Sequence, residues 1–242
     1  MNNLHFSLER QLHNGDKIAI AAIIISLIAG GLLYNYLPEQ VASHWNADGI
    51  ADGFTNRENL IVGFPILMLL TYLALSLLPK VKELKFEMHL LHKEYASLKA
   101  AVLLFMLYVH LVIIYSNTDY ALLHVSTPQL IFPGLSILFY YIATLLPQLK
   151  RNYLIGIRTP WTIHNDAVWT KTHAVGAKLF KALSVAIMFA TLTSSRISTW
   201  LVVAPILFVA VFLVVYSYSL HRKLEKQHKL TKKSTKAKKK KR

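Results

Sequence analysis

Cysteine is absent from all 242 residues, which excludes disulfides and thiolate metal sites and leaves the redox compartment undetermined. Charge is scarce as well. Asp, Glu, Lys and Arg make up 16% of the chain against 54% hydrophobic residues, too little charge for a water-soluble domain. No acidic side chain interrupts any of the long apolar runs. A bilayer imposes that segregation, because an ion in hydrocarbon loses its hydration. Also missing are H-E-x-x-H, G-x-S-x-G, the phosphate-cradling G-x-x-x-x-G-K and any carboxylate pair inside an apolar run. The usual parts of enzymes and ion-driven transporters are therefore lacking, and neither catalytic residues nor a cofactor is expected.

What is present is hydrophobic length. Six runs come close to the roughly 20 helical residues that cross a hydrocarbon core of about 30 Å. They are Ile18 to Leu37, Leu60 to Leu78, Ala100 to Ser116, Pro128 to Gln148, Ala182 to Ser195 and Thr199 to Leu220. The fifth is short, and Lys178 and Lys181 must snorkel from its N-terminal end. The first is longer than a secretory h-region and runs into Tyr34-Asn35-Tyr36 and Pro38 without a cleavage motif, so it is read as retained. The predicted fold is an all-α integral membrane protein, a six-transmembrane-helix bundle.

Lys and Arg in the short loops set its orientation. Between runs one and two only Arg57 is basic, between three and four nothing is, and between five and six only Arg196 is. The loops after runs two and four carry Lys80, Lys82, Lys85, Lys93 and Lys99, and Lys150, Arg151, Arg158, Lys171 and Lys178. The richer loops face the cytoplasm, with Arg10, Lys17 and both termini, giving an N-in/C-in topology. The organisation read from this is a cytoplasmic N-terminus over 1–17, a three-span domain over 18–116, a second over 128–220 and a basic cytoplasmic tail over 221–242. The net charge of +15 is mostly that tail, since Arg222 to Arg242 hold twelve Lys and Arg against one acid, Glu225. Such a tail suits anionic lipids or an acidic partner rather than direct nucleic-acid binding, and its low complexity predicts disorder.

Two loops and one buried side chain are candidates for chemistry. The first outward loop reads Leu37-Pro38 through His44-Trp45-Asn46, then Asp48-Gly49 and Asp52-Gly53. The Asp-Gly pairs mark turns. Alternatively, His44, Asp48 and Asp52 converge as weak candidates for a divalent cation, with Asp119 or His124 of the second outward loop. Trp45 and Phe54 seat the loop at the interface. The second inward loop runs from Asn152 through Arg158-Thr159-Pro160-Trp161-Thr162 to Trp169 and His173. Thr159-Pro160 and Asn165-Asp166 read as helix starts. Trp169, His173, Gly176 and Phe180 then share one helical face. His110 is the lone Asp, Glu, Lys, Arg or His deep inside a run, placed there by a bond to a neighbour or by a proton-coupling role.

Two stretches carry a family resemblance: Leu37-Pro38 through His44-Trp45-Asn46-x-x-Gly49-x-x-Asp52-Gly53, and Asn152-Tyr153-Leu154-Ile155-Gly156-Ile157-Arg158-Thr159-Pro160-Trp161-Thr162 with Val168-Trp169-x-x-Thr172-His173. The second resembles the signature of the SdpI family of bacterial immunity proteins, and the first resembles the domain of unknown function that precedes it. The resemblance implies a multi-pass cell-membrane protein that protects its host from a secreted peptide toxin. In the best-known member it also implies transduction of toxin engagement to a cytoplasmic transcriptional repressor. His44, Trp45, Asn46, Asp48 and Asp52 outside, and Asn152, Arg158, Trp161, Trp169 and His173 inside, are then the candidate ligand- and partner-binding residues. A small-solute or ion permease using His110, and a metal-dependent membrane enzyme centred on His44, Asp48 and Asp52, are the alternatives.

Overall fold

A computed structural model describes residues 14–80, 85–118 and 125–240, with the side chains of 85–90 and 233–240 left out. Arg10, Lys82, Asp119, His124 and Arg242 lie outside the described residues. Six helices are long and apolar enough to cross a membrane: Asn14–Tyr36, Asn59–Lys80, Leu91–Ser116, Thr127–Gln148, Asp166–Ala190 and Ser195–Lys232. The protein is a multi-pass membrane protein. Its regular elements are α1 (Asn14–Leu33), β1 (Gln40–Trp45), β2 (Ala51–Asn56), α2 (Phe64–Leu77), α3 (Lys85–Ser116), α4 (Thr127–Leu145), α5 (Pro160–Ile163), α6 (Asp166–Ala190) and α7 (Ser195–Lys240). One turn of π-helix, Asn59–Gly63, leads into α2.

The helices pack as two triplets. In the first, α1 lies against α3, with α2 on both; in the second, α6 lies between α4 and α7. The α3–α4 contact joins the halves. Lipid tails are as apolar as leucine, so association rests on close packing and on polar bonds rather than on escape from water. The close approaches are visible. A Cβ on Gly15 of α1 would sit 2.3 Å from the Ala96 carbonyl oxygen of α3, and one on Gly134 of α4 would sit 2.4 Å from the Tyr108 ring of α3. Ala19, Ala22, Met68 and Leu103 fill the centre of the first triplet, and Phe132, Leu183, Ile187, Ala190 and Val202 that of the second. Large apolar side chains such as Leu32, Ile137, Phe189 and Phe208 stay exposed, on surfaces that lipid covers.

Three expectations change. The fifth span sits earlier than Ala182–Ser195: α6 begins at Asp166 and ends at Ala190, where turn bonds Thr191 N–H to Met188 O and Leu192 N–H to Phe189 O replace the helix. Its N-terminal half tolerates charge because Lys178 and Lys181 stay exposed while Thr172, His173, Gly176 and Ala177 face inward. The tail, expected to be disordered, continues α7 to Lys240. Beyond Pro205 it has no glycine or proline, and its Lys, Leu, Glu, Gln and Arg are good helix formers. At about 1.5 Å per residue the 46-residue helix is about 69 Å long, more than twice the hydrocarbon core. The loop between the first two spans, finally, is a β-hairpin.

Candidate functional site

The hairpin is closed by Asn46. Its side-chain Oδ1 accepts from the backbone of Asp48 (2.9 Å) and Ile50 (3.1 Å), and Gly49 takes the left-handed conformation at φ 76° that the turn requires. The Asp48-Gly49 turn is therefore as expected. Asp52-Gly53 is not a turn but part of β2. Gly53 pairs with His44 at a register irregularity, where a Cβ would meet the His44 Cβ at 2.9 Å. On the outer edge of β1, Asn117 from the end of α3 acts as a surrogate strand: its Oδ1 accepts from Ala42 N–H at 2.7 Å, and its Nδ2 donates to Ala42 O at 3.0 Å. Val41 and Trp45 pack with Leu37, Leu60, Ile61, Ile113 and Ile114, so the hairpin covers one end of the first triplet.

Its tip reaches the second triplet. Gly49 lies against Ser126 and Ser195, and Asp48 accepts from both Nε and Nη2 of Arg196, the latter at 2.9 Å. That pair of bonds holds the exposed Asp48 carboxyl below its ordinary range, through the hydrogen bonds first and the guanidinium charge second. Beneath the tip, Gln129 Oε1 accepts from Ser126 Oγ (2.8 Å) and Ser195 Oγ (3.0 Å), and its Nε2 donates to the Thr193 carbonyl (2.5 Å). One buried amide thus ties the hairpin-side ends of α4, α6 and α7. The sequence signal for it was present in Ser126-x-x-Gln129, a capping box before an apolar run.

The expected convergence of His44, Asp48 and Asp52 does not form. His44 Nδ1 meets Asp52 Oδ1 at 2.5 Å, but Asp48 is turned to Arg196. Among the described residues no group of three or more His, Cys, Asp or Glu converges. The opposing strands decide this, by sending Asp52 and the turn residue Asp48 to different neighbours.

The 149–165 loop, at the other end of the bundle, is a knot of specific bonds. Asn152 Oδ1 accepts from Leu154 N–H (2.7 Å) and Ile155 N–H (2.8 Å), and its Nδ2 donates to Lys150 O. Gly156 follows at φ 122°, a conformation only glycine adopts readily. His173, one turn below Trp169 on α6, donates from Nδ1 to Trp169 O at 2.9 Å and accepts at Nε2 from Ile157 N–H at 3.0 Å. Those two partners require the neutral imidazole with its proton on Nδ1. Trp169 stacks on that ring with centroids 4.0 Å apart and donates from its indole to Leu149 O at 2.7 Å. Thr159 and Thr162 cap α5, and Thr159 Oγ1 bonds Ser217 Oγ of α7 at 3.0 Å. Asn165 caps α6 through Ala167 and Val168 N–H. Both helix starts read from the sequence are thus present.

The five candidate residues of this loop therefore fall into two groups. Asn152, Trp169 and His173 are buried and fully engaged within the loop. Arg158 is exposed, with Nη1 donating to Tyr153 O at 2.5 Å, and Trp161 is half-buried against the Tyr218 ring at 5.0 Å. Leu154, Ile155 and Trp169 also pack with Leu91 and Tyr95 of α3, so the knot joins both triplets. His110 is completely buried at the centre of the first triplet. Its Nδ1 lies 2.7 Å from Ser26 Oγ, its ring stacks on Phe64 at 4.7 Å, and its Nε2 has no hydrogen-bond partner among the described residues.

Sequence reasoning missed Arg196, Asn117, Gln129 and one buried ion pair, Asp16 with Lys99. Asp16 and Lys99 border their apolar runs, so they looked like interfacial charges. Only the packing of α1 on α3 brings them together.

Comparison with known proteins agrees with the two stretches singled out. Residues 148–217 match the SdpI/YfhL protein family, and residues 21–69 match a domain of unknown function, DUF1648. The immunity protein SdpI of Bacillus subtilis (strain 168) is 24% identical over 207 residues, covering 86% of this chain and 96% of that protein. No solved structure matches. The 148–217 match spans the knot from before Asn152 to Ser217 of α7, and with the DUF1648 segment ahead of it the chain is similar to the SdpI/YfhL family in both polar loops.

Proposed function

We propose that this protein is a membrane immunity protein that protects its host against a secreted peptide toxin, and that it passes toxin engagement to a cytoplasmic repressor. The similarity to an immunity protein along 86% of the chain carries this reading. The architecture supports it with two distinct polar surfaces at opposite ends of the bundle, the hairpin and the inner knot. In this reading the hairpin is the receptor surface, because its tip grips the second triplet through Asp48–Arg196 and Gly49. A ligand that loosens that grip changes how the triplets meet, and the knot, packed on both, changes with it. Arg158 and Trp161 form the inner docking patch, since their neighbours Asn152, Trp169 and His173 are committed to holding the loop.

The orientation follows the Lys and Arg distribution, with the hairpin outside and both ends of the chain inside. Because the chain has no cysteine, single replacements report without background. A cysteine at Ile50, which is 62% exposed, is expected to react with an impermeant maleimide on intact cells. One at Tyr153, 51% exposed, is expected to react only after permeabilisation. The opposite pattern reverses the topology.

Host survival under toxin challenge tests the function itself. Arg158→Lys keeps charge but loses the planar fork that binds a carboxylate through two bonds. It is expected to lower protection severalfold at unchanged membrane abundance, because the side chain is exposed and its loss leaves no buried group unpaired. Full protection by Arg158→Lys and by Arg158→Ala removes Arg158 from the docking patch.

A further inference from the structure

A cavity of about 850 Å³ lies between α1, α3 and α4. Ala96, Ala100 and Ala101 of α3 keep its wall low, and Leu104, Phe105 and Ile137 line its length. Its inner mouth carries Asn14, Lys93 and Ser97. Lys93 is exposed and makes no ion pair among the described residues. The outer end is shut: Tyr108 lies on Gly134 and donates from its hydroxyl to Leu130 O at 2.5 Å.

We propose that this groove holds one anionic phospholipid of the inner leaflet, its phosphate at Lys93 and an acyl chain running along α3 to Tyr108. Length, lining and charge select that occupant. From Lys93 to Tyr108 the groove follows 15 residues of helix, about 22 Å, which begins at a headgroup and ends beyond the bilayer midplane. Its low alanine wall beside Leu104, Phe105 and Ile137 makes an apolar trough suited to an acyl chain, and the cation at its mouth complements an anionic headgroup. The polarity is also one-ended: Lys93, His92, Asn14 and Ser97 stand at the mouth, and the walls beyond are apolar but for Tyr141, up to the Tyr108 lid at the far end. An amphiphile entering from the outer leaflet meets the closed end first. The placement of the Lys93 mouth in the inner leaflet rests on the orientation proposed above.

The experiment is native mass spectrometry of the full-length, delipidated protein, titrated with phosphatidylglycerol and with phosphatidylcholine of identical acyl chains. One bound phosphatidylglycerol is expected, favoured over phosphatidylcholine by about fivefold, the effect of one lysine near an anionic headgroup. Lys93→Glu, at an exposed site that leaves the bundle intact, is expected to abolish that preference. Ala101→Trp, which fills the groove, is expected to reduce binding of both lipids while the mass stays monomeric. Equal binding of the two lipids by the unaltered protein overturns the proposal, as does a preference that Lys93→Glu leaves unchanged. A dimer that Ala101→Trp dissolves assigns the groove to a second copy instead. Lys93→Glu decides the matter even if Ala101→Trp fails to fold.

Discussion

Gly156→Ala is expected to remove most of the protein from the membrane fraction, although it adds a single methyl group. At φ 122° an alanine is strained, at a cost of about 1–3 kcal/mol. The new Cβ would also lie 2.5 Å from His173 Nε2 and 3.1 Å from the Trp169 ring. Neither neighbour can retreat freely. His173 is held on both nitrogens, by Ile157 N–H and Trp169 O, and Trp169 by its bond to Leu149 O. Displacing the imidazole strands buried polar groups, which adds about 1–3 kcal/mol. A loss of that size is a large part of the stability of an ordinary domain and lowers cellular abundance severalfold. The measurement is membrane abundance by quantitative immunoblot together with melting in detergent. Wild-type values on both for Gly156→Ala mean that the loop rebuilds around the methyl group and that the knot is not a structural centre. The same reasoning expects His173→Ala and Trp169→Phe to lose abundance as well as protection, unlike Arg158→Lys.

Lys99→Met is expected to destabilise the first triplet by about 3–5 kcal/mol, because it leaves the Asp16 carboxylate buried without its cation. The Asp16 and Lys99 side chains are 13% and 7% exposed. Lys99 Nζ also meets Ser76 Oγ at 3.0 Å and lies over the Tyr72 ring at 4.9 Å, and the Tyr72 hydroxyl donates to Asp16 at 3.4 Å. α1, α2 and α3 each contribute, so the loss unlocks all three. The double variant Asp16→Asn with Lys99→Met is expected to recover most of the stability, since removing both charges also removes the desolvation that each suffered. A double-mutant cycle on detergent melting temperatures reads this directly. Additive losses from the two single variants mean that the pair is not coupled in the folded protein.

Both predictions concern residues whose importance was unequally visible. Gly156 and His173 stood inside a long motif, but the sequence did not separate residues that build the loop from residues that face a partner. Burial separates them, because Asn152, Trp169 and His173 are buried with their polar atoms spent on backbone, while Arg158, bonded through Nη1 to Tyr153 O, stays exposed. In the hairpin, His44, Asp48 and Asp52 read as one cluster because they lie close together in the chain. The hairpin keeps His44 and Asp52 paired across its strands, while the turn at Gly49 sends Asp48 to Arg196.

By itself the sequence determined the six spans, the two polar loops, the helix starts at Thr159-Pro160 and Asn165-Asp166 and the placement of His110 in hydrocarbon. Each follows from a local rule: apolar length against bilayer thickness, capping chemistry, or the cost of an ionisable group in lipid. Only the tertiary structure decided the Asp16–Lys99 pair, the Asn117 clasp on Ala42, the Asp48–Arg196 contact and the groove beside Ala101. Asp48 and Arg196 are 148 positions apart. Helices in lipid are apolar on all sides, so periodicity does not announce which face meets which neighbour. Small residues and single polar side chains choose the contacts, and their partners appear only when the helices are packed.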